Sequence, residues 1–202
     1  MLRIHGLAKS RAFRCIWAAE EAGLAYETVP VAFGPGLKAA IAAVNPNGKV
    51  PALEDGSLTL FESLAINLHI AGKAGAPFMP MGGDASRVLQ WTLWAATEAE
   101  PTIMQWSYNT YIRPPEQRDA ALAKAGGEAA AARLSVLEAH LGAHGPFLVG
   151  GAFTVADCNL AGVLYGAWLN GFDLQPFPKV KAWLDACFNR PAALKARKLR
   201  EG

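Results

Sequence analysis

The stretch "GKVPALEDGSLTLFESLAI", residues 48 to 66, decides how the first half of the chain is built. At its centre stands Asp55-Gly56, a pair that tolerates the positive φ of a type I′ turn and is the strongest short hairpin signal. Before it, Pro51-Ala52-Leu53 reads as one strand. After it, Ser57 to Phe61 alternates polar and apolar, with Leu58 and Leu60 on one face. Leu64, Leu68 and Ala71 then repeat at helical spacing up to Gly72. The spacing predicts strand, tight turn, strand, helix. Proline cannot donate to a ladder and belongs at a strand's first position, an edge or a bulge. Pro51 stands where pairing should start, so the backbone of Val50 is expected to be left free. A free strand-like backbone is the first sign of a binding site.

Working outward, "LRIHGL" reads as a first strand, and Ser10 caps a helix in which Phe13, Ile16, Trp17 and Glu20 follow at helical spacing until Gly23. "AYETVPVAF" reads as a second strand, placed at a sheet edge by Pro30. "GLKAAIAAVN" reads as a short helix ended by Asn45-Pro46-Asn47-Gly48. The predicted order is therefore β-α-β-α-β-β-α over residues 1–75, followed by a Gly- and Pro-rich linker at residues 76–84. Beyond it the strand signals stop. Residues 85–202 read as all helical: a long helix or bent pair from Ala85 to Tyr111, a second from Pro114-Pro115, a third, well capped, in "FTVADCNLAGVLYGAWLNG", a fourth in "PKVKAWLDACFNR" and a last short one from Pro191.

With 52% hydrophobic and 18% charged residues among 202, the chain has ample material for a core. A net charge of +2 without a basic face argues against nucleic acid as the partner. Cys15, Cys158 and Cys187 are odd in number, widely spaced and lack a CxxC, so they read as reduced thiols of a cytosolic protein. No signal-peptide core and no long apolar run is present, and a cytoplasmic location without membrane contact is expected. His140 and His144 have the spacing of a metal pair but no third ligand, and read as solvated side chains at a helix end; no metal site is expected. Thr154 and Asp157 form a capping box, a folding feature. Trp91, Trp94 and Trp168 read as core.

The layout, with a proline opening the third strand and a helical domain behind, resembles the cytosolic glutathione S-transferase family. "NPNGKVPAL", "FESLAI" and "FTVADC" are the motifs that carry the resemblance, and the match in layout spans essentially the whole chain. It implies an α/β plus all-α architecture, a thioredoxin-like N-terminal domain followed by an all-helical C-terminal domain, with Pro51 cis. It also implies that Val50 pairs like an added antiparallel strand with the cysteinyl backbone of glutathione. Glutathione's γ-glutamyl end carries a carboxylate beside an ammonium. Ser63, at a helix N-terminus, suits the carboxylate, and Glu62 suits the ammonium. Lys49 is placed to meet the glycyl carboxylate. Glutathione enters as a co-substrate and no cofactor is implied.

The resemblance further implies that a Tyr, Ser or Cys near the first helix activates the thiol. No tyrosine precedes Tyr26, and Cys15 lies on the helix face that should pack on the sheet. Ser10 is left, where helix dipole and hydroxyl converge on an anion. Arg11 follows where many relatives have proline, and His5 stands where an aromatic is frequent, so Ser10, its backbone and Arg11 all stay open as the group that contacts sulfur. Trp106, Tyr108 and Tyr111, late in the first long helix, together with Leu7, are expected to line a pocket for an apolar electrophile, with plain packing as the alternative for the aromatics. The expected function is conjugation of the glutathione thiolate to apolar electrophiles by a homodimer. Rival readings are a glutathione-dependent reductase, peroxidase or isomerase, and a non-catalytic glutathione-binding or regulatory protein.

Overall fold

Short strands come first: β1 (Leu2–His5), β2 (Tyr26–Val29), β3 (Ala52–Asp55) and β4 (Leu58–Phe61). A computed structural model describes residues 1–202 and shows two compact units, residues 1–81 with 189–202, and residues 82–188. In the first unit the strands line up in the order β2-β1-β3-β4, with β1 parallel to β2 and antiparallel to β3. The hairpin register closes at Asp55 opposite Leu58, so the two turn residues are Gly56, at φ 62°, and Ser57, one position later than the expected Asp55-Gly56; Asp55 stays in the strand as the last paired residue. β2 stops at Val29, immediately before Pro30, and lies at the sheet edge as expected.

Three helices interleave with these strands: α1 (Ala12–Ala22), α2 (Leu37–Ile41) and α3 (Ser63–Ala74). Successive strand residues face opposite sides. Ala52 packs on Val31 and Ile41, on the α2 side, while paired Ile4 and Leu53 are fully buried on the other. α2 is shorter than predicted because the chain leaves the helix after Ile41 and turns into the Asn45–Gly48 loop.

The second unit is helical throughout: α4 (Gly83–Trp94), α5 (Glu100–Ser107), α6 (Ala120–His144), α7 (Val155–Leu169) and α8 (Pro178–Phe188). The bent pair expected from Ala85 onward is α4 and α5, joined through a π-helical turn at Ala95–Ala99 and followed by another at Tyr108–Ile112. Pro101 has no N–H for the helical ladder, which accounts for the first irregularity. At the second, Asn109 Nδ2 and Thr110 Oγ1 donate to the carbonyls of Gln105 and Trp106 at 2.8 and 2.7 Å, competing with main-chain bonding. The helix expected from Pro114-Pro115 starts later. Pro115–Gln117 make only a 3₁₀ turn, and α6 begins where the Asp119 carboxylate caps the amides of Ala121 and Leu122.

One boundary needs correcting. Residues 85–202 were expected to form one helical domain, yet the last helix, α9 (Pro191–Glu201), belongs to the first unit. It lies along α1, with Ala193 and Ala196 fully buried and Arg190 donating through Nε and Nη2 to both carboxylate oxygens of Glu21 at 2.8 Å. Lys195 pairs with Glu20. With α3 and α9 both packed on it, α1 is buried continuously from Ala12 to Ala19. The expected linker is shorter too, since α4 starts at Gly83. No helix is long and apolar enough to cross a membrane.

Candidate active site

The Val50-Pro51 bond is cis, as the resemblance implied; a second cis bond, Ala76-Pro77, was not anticipated. The β3 ladder begins with Ala52 opposite His5, and no hydrogen bond within the chain engages the N–H or carbonyl of Val50. The loop ahead of it is firmly held. Buried Asn45 donates from Nδ2 to the Lys49 carbonyl at 2.6 Å and accepts from the Asn47 amide at 3.0 Å. Gly48, at φ 64°, passes so close to Lys38 that a β-carbon there would sit 2.5 Å from its Cγ. The Val50 backbone is thus unpaired but rigid, while the Lys49 side chain is exposed.

Ser63 opens α3 and is buried, yet its hydroxyl accepts a bond from Arg14 Nη1 at 3.3 Å. Arg14 itself is 5% exposed, a buried guanidinium that the sequence reading did not single out. Its spacing, one helical turn after Ser10, was the available signal. Glu62 has φ 70° and ψ 109°, the single positive φ outside glycine. Such a conformation costs a residue with a β-carbon about 1–3 kcal/mol and is typically held in place for function. Its side chain makes no capping bond and is exposed. Cys15 donates weakly to the Ser63 carbonyl at 3.7 Å, and complete burial pushes its thiol far above the usual range. It is a structural thiol.

Ser10 is 9% exposed and precedes α1. Its Oγ accepts from the Ala12 amide at 3.0 Å and donates to the Leu7 carbonyl at 2.7 Å. The hydroxyl thus takes the first amide of α1 from one residue ahead of the N-cap position, which Arg11 occupies, and its proton is turned to the loop's own backbone. A β-carbon built on Gly6 would lie 3.1 Å from Val50 Cβ and 3.3 Å from Ser10 Oγ, so both residues border one small volume beside Gly6. Arg11 lies at the surface. His5 donates from Nε2 to Glu54 across the β1–β3 pair at 2.6 Å, a cross-strand role that explains its place at the end of β1.

In the helical unit, Trp106 packs edge-on against Tyr111 at 5.8 Å and Phe172 at 5.0 Å. The Tyr111 hydroxyl rests against Gly166, where any β-carbon would collide with it. Tyr108 is different: it is 39% exposed, with the Arg113 guanidinium 5.5 Å from its ring centroid. Leu7 is half-buried in the first unit. His140 is not the solvated residue expected. Its ring packs at a tilt against Trp91, it bonds to the Leu148 carbonyl at 2.9 Å, and burial lowers its pKa. No three His, Cys, Asp or Glu side chains stand close enough together to hold a metal ion. Trp91 is buried and Trp168 donates to Asp185, both within the helical packing.

Comparison with known proteins places these features in context. Residues 4–72 match the family model for the glutathione S-transferase N-terminal domain, and residues 99–191 match that for the C-terminal domain. The chain is 34% identical over 204 residues to Glutathione S-transferase 3 of Zea mays, covering 95% of this chain and 90% of that protein. It is 32% identical over 185 residues to the glutathione S-transferase GstB of Escherichia coli strain K12, covering 87% of each. Among solved structures, it resembles the theta class glutathione S-transferase of Xanthomonas axonopodis pv. citri, determined with glutathione bound. The TM-score is 0.89 at 30% identity, with 96% of each chain covered.

Proposed function

The chain belongs to the glutathione S-transferase family, and from that premise we propose that its own thiolate-activating group is Ser10 and its glutathione site runs from Val50 to Ser63. The observation that carries this is that Val50, whose backbone is unpaired, and the Ser10 hydroxyl both close on Gly6, with Val50 Cβ and Ser10 Oγ 3.1 and 3.3 Å from where a β-carbon there would stand. A peptide added to Val50 as a strand brings its cysteinyl sulfur beside that hydroxyl. The γ-glutamyl carboxylate then meets Ser63 and the open end of α3, with the buried Arg14 charge behind it, and the ammonium meets Glu62. Lys49, exposed one residue before Val50, takes the glycyl carboxylate.

A free thiol has a pKa near 8.5 and is only a few per cent ionised at neutral pH; lowering it by about two units takes roughly 2.7 kcal/mol of preferential thiolate stabilisation. Ser10 supplies part of this by turning its proton from the Leu7 carbonyl to sulfur. That exchange leaves no orphan, because the Ser10 amide already donates to the same carbonyl at 2.8 Å. The thiolate then attacks an electrophilic carbon, forming the thioether while the leaving group departs with the bond's electron pair. For the electrophile, Leu7 offers apolar surface next to the Ser10 loop in the first unit; in the second, Tyr108 presents an exposed ring, while Trp106 and Tyr111 are committed to packing within the helices.

Ser10→Ala should raise the bound thiol's pKa by about one unit or more, since a hydrogen bond to an ion contributes about 1.5–3 kcal/mol. Conjugation at neutral pH should fall roughly tenfold, partly recovering as pH rises. Ultraviolet titration of the thiolate in the glutathione complex reads this directly, and identical curves for the two proteins would remove Ser10 from the role. A panel of an aromatic halide, a hydroperoxide and a mixed disulfide separates conjugation from the reductive alternatives. The reading includes a cytoplasmic, reducing compartment, consistent with three buried cysteine thiols, and a homodimer; light scattering at the mass of one chain would remove the dimer.

A further inference from the structure

Arg200 reaches from the last turn of α9 to the loop that carries Ser10. Its Nη1 donates to two main-chain carbonyls, Ala8 at 3.0 Å and Ser10 at 2.9 Å, and its guanidinium lies over the Phe13 ring, 5.2 Å from the centroid. We infer that Arg200 is the positioning residue for Ser10, holding the 7–10 loop in place while the serine hydroxyl changes partner. This rests on the reading of Ser10 as the thiolate donor.

The internal bonding of the loop shows why an outside clamp is needed. Both the amide and the hydroxyl of Ser10 donate to the Leu7 carbonyl, at 2.8 and 2.7 Å. Turning the hydroxyl to sulfur removes one of those two bonds at the moment when the position of Ser10 matters most. What then fixes the Ser10 carbonyl is the Phe13 amide at 3.2 Å and Arg200 at 2.9 Å. The bond from Arg200 is the shorter one and is charge-assisted.

Docking of α9 does not call for this bond. The helix is already seated by buried Ala193 and Ala196, by the two-pronged Arg190–Glu21 pair with its buried carboxylate, and by Lys195 on Glu20. These anchors lie toward the C-terminal end of α1. Arg200 addresses main-chain carbonyls at the opposite end, just ahead of α1. Both bonds leave one terminal nitrogen, whose two N–H groups lie in the fixed plane of a guanidinium that also faces the Phe13 ring, a pre-set arrangement that the rotating ammonium of a lysine lacks. Lys9 and Arg11 flank Ser10 on the loop, Arg14 follows on α1, and Arg197 and Lys198 share α9 with Arg200. A direct charge effect on sulfur must therefore be separated from an effect through Ser10.

A double-mutant cycle on the glutathione complex makes that separation, with thiolate absorbance titrated against pH and glutathione affinity measured by calorimetry. Arg200→Gln should raise the thiol pKa by about half a unit, roughly a threefold loss of thiolate at neutral pH, with affinity nearly unchanged. In a chain that already carries Ser10→Ala, adding Arg200→Gln should change nothing further. Arg200→Lys should lie between wild type and Arg200→Gln, and Lys195→Gln, which loosens the same helix away from the loop, should titrate as wild type. An Arg200→Gln curve that overlays wild type overturns the inference. So does an equal shift with and without Ser10→Ala, which would mean that the guanidinium acts on sulfur by its charge, and so does a Lys195→Gln shift as large as that of Arg200→Gln. A Ser10→Ala titration identical to wild type removes the serine reading itself, independently of Arg200. Should Arg200→Gln not fold, Arg200→Lys carries the same cycle, and an unshifted curve there counts against the clamp.

Discussion

Two helices in this protein start after a phenylalanine and a short polar run, and they start in opposite ways. α7 begins within "FTVAD", at Val155, and α3 within "FES", at Ser63. At α7 the carboxylate of Asp157, fully buried, accepts from the amides of Thr154 and Leu148, the Thr154 hydroxyl and Trp183 Nε1, at 2.9 to 3.1 Å. Burial pushes this carboxyl up in pKa while the four bonds pull it down. At α3, Glu62 makes no side-chain cap and stands at a positive φ, with its carboxylate in solvent. One helix start is closed by its own chain and the other is held open at a cost in backbone strain. A closed start serves folding, and an open one beside an unpaired strand backbone is available to a ligand.

The largest effect should come from the closed end. Asp157→Ala leaves the Leu148 and Thr154 amides and the Trp183 indole N–H without their acceptor inside the helical unit. At about 1–3 kcal/mol for each buried orphan, a loss of about 3 kcal/mol or more is expected in denaturant unfolding. Glutathione affinity per folded molecule should stay as it was. A variant of near wild-type stability would break the contrast from this side.

The open end should behave in mirror image. Ser63→Ala should weaken glutathione binding by about 1–2 kcal/mol, the loss of one bond to a charged group, with little change in the unfolding midpoint. Glu62→Gly sharpens the point further. Removing the β-carbon relieves the positive φ, so stability should rise by about 1 kcal/mol while affinity falls. Calorimetry and unfolding on the same protein read both signs; stability and affinity falling together would mean that the conformation of Glu62 stores no strain.

The smallest effect lies in the hairpin turn that leads to α3. Asp55 accepts from Lys73 and from His69 Nε2, the latter at 2.9 Å, tying the turn to the helix. Hydrogen bonds from Lys73 and then His69 hold its carboxyl below the usual value, against the effect of burial. A carboxylate whose folded pKa is depressed contributes stability that is fully present above the unfolded value, about 3.9, and is lost as pH falls through the folded one. Lys73 is partly exposed, which limits the contribution to about 1 kcal/mol or less. Asp55→Asn should therefore be slightly less stable than wild type at neutral pH and equal to it in strong acid. A gap that widens on acidification would reverse the sign assigned here.

Most of what the sequence alone determined is local. Gly56 turned the hairpin one residue later than expected, Pro30 ended an edge strand, Thr154 and Asp157 capped α7, and the Ser10 hydroxyl took the first amide of α1, because each depends on backbone preferences or on partners a few residues away. The "FES" motif and Val50-Pro51 were legible through their resemblance to a family, and the free Val50 backbone followed from proline's missing donor. What the sequence could not supply depends on groups that meet only in the folded chain. The bond from Arg14 to Ser63, the pair of Arg190 with Glu21, and Arg200 on the Ser10 loop join residues 49, 169 and 190 positions apart. No periodicity or cap signal connects such residues. Hence α9 was read with the helices before it, although its alanines dock on α1. The positive φ of Glu62 is equally invisible in the letters, since its own preference is against it. Only tertiary packing decides such features, because it can override a local preference of about 1–3 kcal/mol that the sequence is left to express by itself.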